Sequence, residues 1–158
     1  MLTWLKSLFT PAQPLGPPIS IRKFGPSDRP ISNDAVRADM GANDAAWRIE
    51  VPSAVTVRLF EVPISGLEQC VLTYRALLKT AGVERGVYLE MWCVFGGSEY
   101  FSKGFHHKAK GTNDWTSVQT PFFLKKGQSP DLLKLYLTFE GRGTVWIKDI
   151  ELLKTPTA

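Results

Sequence analysis

The residues best suited to chemistry in this 158-residue chain are two histidines, two cysteines and a scatter of carboxylates, and their spacing argues against catalysis. His106 and His107 are adjacent, and neighbours on a strand point to opposite faces, so the pair does not converge on one metal ion. Flanked by Phe105 and Lys108, they read as surface-loop residues rather than as a general base. Cys70 and Cys93 each sit in an apolar run, Cys70-Val-Leu and Met-Trp-Cys93-Val-Phe. Two buried free thiols suit that setting, with a disulfide between neighbouring strands as the alternative. No C-x-x-C or metal-finger spacing is present. No nucleophile elbow, helical zinc-protease motif or phosphate-binding glycine loop occurs in its required context; Gly141-Arg-Gly143 and Gly96-Gly97 are turn glycines. Paired carboxylates working across a cleft would need two facing acids, and only Glu90 can be placed on a candidate face. The expectation is therefore no catalytic residue and no enzyme.

Binding chemistry is better supplied. In the run 132–139, Leu133, Leu135, Leu137 and Phe139 share one face, and Lys134, Tyr136 and Thr138 the other. In 87–95, Val87, Leu89, Met91, Cys93 and Phe95 oppose Tyr88, Glu90, Trp92 and Val94. In 69–79, Cys70, Leu72, Tyr74, Ala76 and Leu78 alternate with a set that includes Arg75. Each strand thus has one apolar face and one mixed polar and aromatic face. Tyr88, Glu90, Trp92, Arg75, Lys134 and Tyr136 are the candidate ligand-binding residues, provided that their strands are neighbours, with Arg75 the expected partner of Glu90. Trp92 and Tyr88 either form part of such a platform or cover one sheet beneath a loop. Trp47, Trp115 and Trp146 read as core or rim packing.

The elements that must position these residues are short strands: 19–24, 46–51, 55–62, 69–79, 87–95, 99–103, 115–124, 132–139 and 144–153. Gly, Pro and Ser punctuate them at 52–53, 82, 96–97, 111, 127 and 141–143. No stretch of ten or more residues shows a 3.6-residue period, which points to an all-β sandwich or barrel. In the last run Val145 and Ile147 lie on one side, and Ile150 and Leu152 on the other. A β-bulge at Lys148–Asp149 would bring all four into one core.

The expected organisation is an N-terminal segment and Pro-rich linker (1–18), one β-sandwich domain (19–154) and a short tail (155–158). Leu2, Leu5, Leu8 and Phe9 fall on one helical face. The segment is too short for a signal core or a membrane span, and the default compartment without an export signal is cytoplasmic. The formal charge is +4, but Lys and Arg are scattered instead of forming a stripe, so nucleic acid is not an expected partner. The closest grouping, Lys103–His106–His107–Lys108–Lys110, reads as a solvated loop.

The segment Gly143-Thr-Val-Trp-Ile-Lys-Asp149-Ile-Glu-Leu152 resembles the closing strand of the galactose-binding-domain-like jelly rolls, the superfold of many carbohydrate-binding modules. Val87-Tyr-Leu-Glu-Met-Trp92 with its Gly-rich break, and Trp115 followed by Thr-Ser-Val-Gln-Thr-Pro-Phe122, are similar too. The resemblance covers residues 45–153 and implies an antiparallel two-sheet jelly-roll sandwich. It implies a non-catalytic module that holds carbohydrate on the mixed face, because aromatic platforms with a few fixed polar groups suit the C–H faces and hydroxyls of sugars. A protein-interaction or assembly module is the alternative that the same fold allows. In that superfold an Asp pair often helps hold a structural calcium. Here Lys148 replaces its first member and leaves Asp149 alone, short of the six to eight oxygens calcium takes, so no cofactor is expected, with a structural calcium at Asp149 as the alternative.

Overall fold

The computed structural model describes residues 13–38 and 45–158. The amphipathic stretch expected at Leu2–Phe9 lies outside the described residues. The described residues form nine strands: β1 (Ile19–Phe24), β2 (Ala35–Ala38), β3 (Ala46–Val51), β4 (Val55–Pro63), β5 (Cys70–Phe95), β6 (Ser98–Lys103), β7 (Ala109–Leu124), β8 (Leu132–Phe139) and β9 (Gly143–Pro156). A single 3-10 turn, Phe105–His107, joins β6 to β7. Every pairing is antiparallel.

β5 organises the molecule. Its first half is hydrogen-bonded between β9 and β7, and its second half between β8 and β6. The sequence suggested two strands broken at Gly82. Instead one strand bends through Gly82 (φ 58°), Arg85 (φ 67°) and Gly86 (φ 143°) and passes from one layer to the other. β7 follows the bend with three register shifts, at Leu78/Thr80, Thr80/Val83 and Val83/Val87. For this reason Gly111 and Asn113, which read as loop residues, lie inside a strand that begins six residues before Trp115. The first layer runs β2, β3, β9, β5, β7, with β1 continuing the edge of β9 beyond β3. The second runs β4, β8, β5, β6.

The apolar faces of the two layers meet in one core, an antiparallel jelly-roll sandwich. Leu72, Tyr74, Leu78, Ile147 and Ile150 come from the first layer, and Leu59, Leu89, Met91, Leu135 and Leu137 from the second. The apolar faces read from the sequence for β5 and β8 are buried, with Phe95 only partly so, and on the opposite face Tyr88, Glu90 and Tyr136 are covered as well. The bulge expected in β9 is present: Asp149 takes φ 51°, the register with β5 slips between Arg75 and Leu77, and Val145, Ile147, Ile150 and Leu152 are all fully buried. At the far end β9 runs on through Pro156 and Thr157 is buried, so the stretch expected as a tail belongs to the sheet. Pro14 bridges Thr157, and the Leu15 amide donates to the Pro156 carbonyl at 2.8 Å. The Pro-rich segment is thus clipped at Pro14 and Leu15 to the end of β9. Both cysteines are buried and free.

Candidate functional site

The outer side of the second layer carries the mixed face, and its register can be read as a grid. Thr56 on β4 stands opposite Thr138 on β8 and then Tyr88 on β5. In the next row Arg58, Tyr136, Glu90 and Lys103 align across β4, β8, β5 and β6. Beyond it come Glu61, Lys134, Trp92 and Phe101. Antiparallel pairing puts these residues on one side: on β5 and β8 their sequence neighbours fill the core, and on β4 the register shift between Arg58 and Phe60 keeps Arg58 and Glu61 on the same face.

Glu90 is the centre of this grid. It is only 6% exposed. The Trp92 indole Nε1 donates to its Oε2 at 2.8 Å, and the Thr138 hydroxyl donates to its Oε1 at 3.2 Å. Lys103 Nζ lies 3.9 Å from the same Oε1. A carboxylate this buried is expensive to desolvate, and these partners offset that cost. Thr56 and Thr138 exchange a further bond at 3.1 Å, and the Tyr136 hydroxyl donates to Glu61 at 3.4 Å. Lys134 reaches sideways to Glu99 at 2.6 Å, and that hydrogen bond pushes its ammonium pKa up. Burial pushes the Tyr88 hydroxyl up, with the Glu90 charge adding to it; burial does the same for Tyr136, against the pull of Lys134.

Five of the six expected residues therefore share one face: Tyr88, Glu90, Trp92, Lys134 and Tyr136. Arg75 does not. It lies on β5 before the bend, on the outer side of the first layer, where its Nε and Nη2 donate to Glu151 at 3.0 and 2.5 Å. The expectation that Arg75 pairs with Glu90 fails because residues 69–79 and 87–95 serve different layers.

The face is also more covered than the sequence suggested. Tyr88 and Tyr136 are 5% and 8% exposed. Phe105, from the turn after β6, packs edge-on against Tyr88 with centroids 4.8 Å apart. What remains open is an aromatic and cationic rim. Phe101 (54% exposed) lies 5.2 Å from Trp92, and Phe105 is 53% exposed. Lys103 Nζ lies 4.9 Å from the Phe101 ring centre and 6.0 Å from that of Phe105, while Lys108 Nζ lies 5.2 Å from the Phe105 ring centre. Phe101 was not among the expected residues, Lys103 was expected in a solvated loop but lies on β6, and Phe105 was expected only as a flank of the histidines. The first two were detectable from alternation in β6, where Glu99, Phe101 and Lys103 share parity, whereas Phe105 needed the turn geometry.

Elsewhere, Asp149 opens on a shallow cavity lined also by Phe24, Arg37, Trp47 and Lys148. The charges of Arg37 and Lys148 oppose a cation there, so these residues do not fit a calcium site. Among the described residues no cluster of three His, Cys, Asp or Glu side chains could hold a metal ion. His106 and His107 are exposed on the 3-10 turn, where the Gln119 amide approaches His107 Nδ1 at 3.3 Å. No helix among the described residues is long and apolar enough to cross a membrane.

The fold is that of carbohydrate-binding β-sandwich modules. A xylan-binding domain of carbohydrate-binding module family 22 superposes with a TM-score of 0.59 over 88% of this chain and 97% of its own, at 10% identity. The CBM22-1 xylan-binding domain of Paenibacillus barcinonensis Xyn10C gives 0.57 over 94% and 98%, at 11% identity. The C-terminal family 22 module of Clostridium thermocellum Xyn10B gives 0.56 over 88% and 96%, at 10% identity. No protein-family model and no curated protein matches the chain by sequence. Likeness at this identity shows the fold alone, a jelly roll like that of carbohydrate-binding modules, and leaves the ligand to the chemistry of the site.

Proposed function

We propose that the chain is a non-catalytic carbohydrate-binding module whose ligand lies on the outer face of the second layer. The observation that carries this reading is the buried Glu90 carboxylate, fixed by Trp92 and Thr138 and framed by the open rings of Phe101 and Phe105. A sugar chain offers what this arrangement takes. Its apolar C–H face packs on the half-open rings, and its hydroxyls donate to Glu90 and accept from Lys103. Glu90 is already hydrogen-bonded, and so is pre-ordered, which lowers the cost of fixing it on binding. The similarity to xylan-binding domains makes xylan the first polysaccharide to try.

A glycan array probed with the purified chain and with Phe101→Ala tests the reading. Phe101 is largely exposed, so its removal leaves the core intact. Binding to a neutral glycan that falls at least tenfold in Phe101→Ala supports the proposal. A folded chain that binds no glycan overturns it. In that case the exposed Phe101 and Phe105 favour the second reading, a protein-interaction module that uses the same face, because aromatic residues are enriched at protein interfaces.

A further inference from the structure

The outer side of the first layer carries a second arrangement, on the sheet opposite the proposed glycan face. Trp146 on β9 stands opposite Arg48 on β3 and opposite Lys79 on β5. Both cations lie over its ring, at 5.9 and 5.7 Å from the centre. One strand further on, Trp115 on β7 carries Lys148 over its ring at 4.2 Å. The result is a band across four strands: Arg48, Trp146 and Lys79 stand in register, and Trp115 lies on β7 where its register with β5 shifts between Leu78 and Thr80, with Lys148 over its ring. Both tryptophans are half-buried; the strand neighbours of Trp146, Val145 and Ile147, are turned into the core, whereas Trp115 stands between exposed Asp114 and Thr116.

The parity of β9 explains why these residues gather. The bulge at Lys148–Asp149 keeps Val145, Ile147, Ile150 and Leu152 in the core, and this leaves Trp146 and Lys148 on the outside. A row this long is not needed to cover the sheet, since smaller side chains such as Ser117 and Thr144 occupy equivalent outward positions nearby. Glu50 engages Arg48 at 2.6 Å, and Glu151 engages Arg75. Lys79 has no carboxylate partner among the described residues, so it keeps its positive charge beside the Trp146 ring.

We infer that this row is a second binding surface, for an acidic polysaccharide that bears carboxylates along its chain. An acidic sugar answers both groups at once. Its C–H face packs on an indole, and its carboxylate meets the ammonium or guanidinium held beside that ring. The spacing agrees, because Trp146 and Trp115 lie two strands apart, ~10 Å, enough to place two rings of an extended chain on two indoles. Single-stranded nucleic acid fits less well, because it calls for rings that stack successive bases along a charged groove, not a flat row across strands. The inference is independent of the glycan proposed for the second layer.

Affinity electrophoresis in gels that contain sodium polygalacturonate tests it, with neutral xylan and oligothymidylate as comparison probes. The expected result is retardation by polygalacturonate that weakens roughly threefold to tenfold in the double variant Lys79→Gln/Lys148→Gln, as befits two solvent-screened charge pairs. Retardation should also fall in Trp115→Ala and disappear at about 1 M salt, where the Debye length is about 3 Å. Phe101→Ala should keep full retardation. Thermal unfolding of each variant confirms that it is folded. Absence of retardation overturns the inference, as does retardation unchanged in the folded double variant or oligothymidylate bound more tightly than polygalacturonate. Retardation lost in Phe101→Ala but kept in the double variant also overturns it, by placing the acidic chain on the second layer, and leaves the proposed function standing.

Discussion

Replacing Tyr74 with Phe removes one oxygen atom from the middle of the core. Tyr74 is fully buried on β5, with Leu72 and Ala76 on either side in the same face, and its hydroxyl has no hydrogen-bond partner among the described residues. Burial alone pushes the hydroxyl's pKa far above its usual value, so it stays protonated at every accessible pH. An unmade hydrogen bond in a dry interior costs the full desolvation of the group, about 1–3 kcal/mol. The ring of Phe fills the same space, so the change loses only the dispersion contacts of one atom, a few tenths of a kcal/mol at about 0.1–0.2 per contact. Tyr74→Phe should therefore stabilise the fold by about 1–2 kcal/mol. In a domain of this length that raises the melting temperature by roughly 2–8 °C. Urea unfolding followed by far-UV circular dichroism measures it directly, as a higher midpoint with an unchanged slope. A variant less stable than the parent by about 1 kcal/mol or more would refute the reasoning, since it would mean that the hydroxyl makes a bond in solution, for instance to a buried water.

Other consequences can be checked in the same way. The Ser20 hydroxyl, together with Arg75 and Lys23, holds the Glu151 carboxyl below its usual range. A depressed folded pKa gives stability that is present above the unfolded value, near 4.3, and is lost as pH falls through the folded one. Urea midpoints measured from pH 7 to pH 3 should thus fall further for the parent than for Glu151→Gln. Gly143→Ala should destabilise by about 1–3 kcal/mol, because a Cβ there would sit 2.7 Å from the Cα of Val83, where β9 passes the bend of β5. A melting temperature within 1 °C of the parent would count against that close approach. Burial pushes the Cys93 thiol up to about 12 and raises Cys70 as well. A chromogenic thiol reagent at pH 8 should label neither in the native chain and both in denaturant.

The layers were legible because β-strand parity is a local property. Leu133 to Phe139, and Val87 to Cys93, sort themselves into core and outer faces without knowledge of any partner strand. The β9 bulge was legible for the same reason, since one extra residue is what lets an apolar run change parity and still face a single core. Arg75 was misplaced because parity says which side a residue faces but not which layer it joins. That depends on the bend at Gly82–Gly86, where the left-handed conformation of Arg85 has no strong sequence signal. The short strand β2 was missed too. Four residues with Val36 and Arg37 exposed leave no apolar pattern to read, and β2 exists through its ladder to β3. The same limit hid the cation and indole row on the first layer, because Arg48, Lys79 and Trp115 lie on three separate strands and meet only through register with β9 and β5.

The most direct test of the central claim follows the indole N–H resonances of the five tryptophans during titration with a soluble neutral glycan such as xylan. Trp92 can be assigned from the Trp92→Phe variant, and its indole N–H is the one bonded to Glu90. The expected result is a saturable shift of the Trp92 resonance, with buried Trp47 unmoved. Five resonances that stay in place across a panel of glycans, or a shift confined to Trp115 and Trp146, would contradict it.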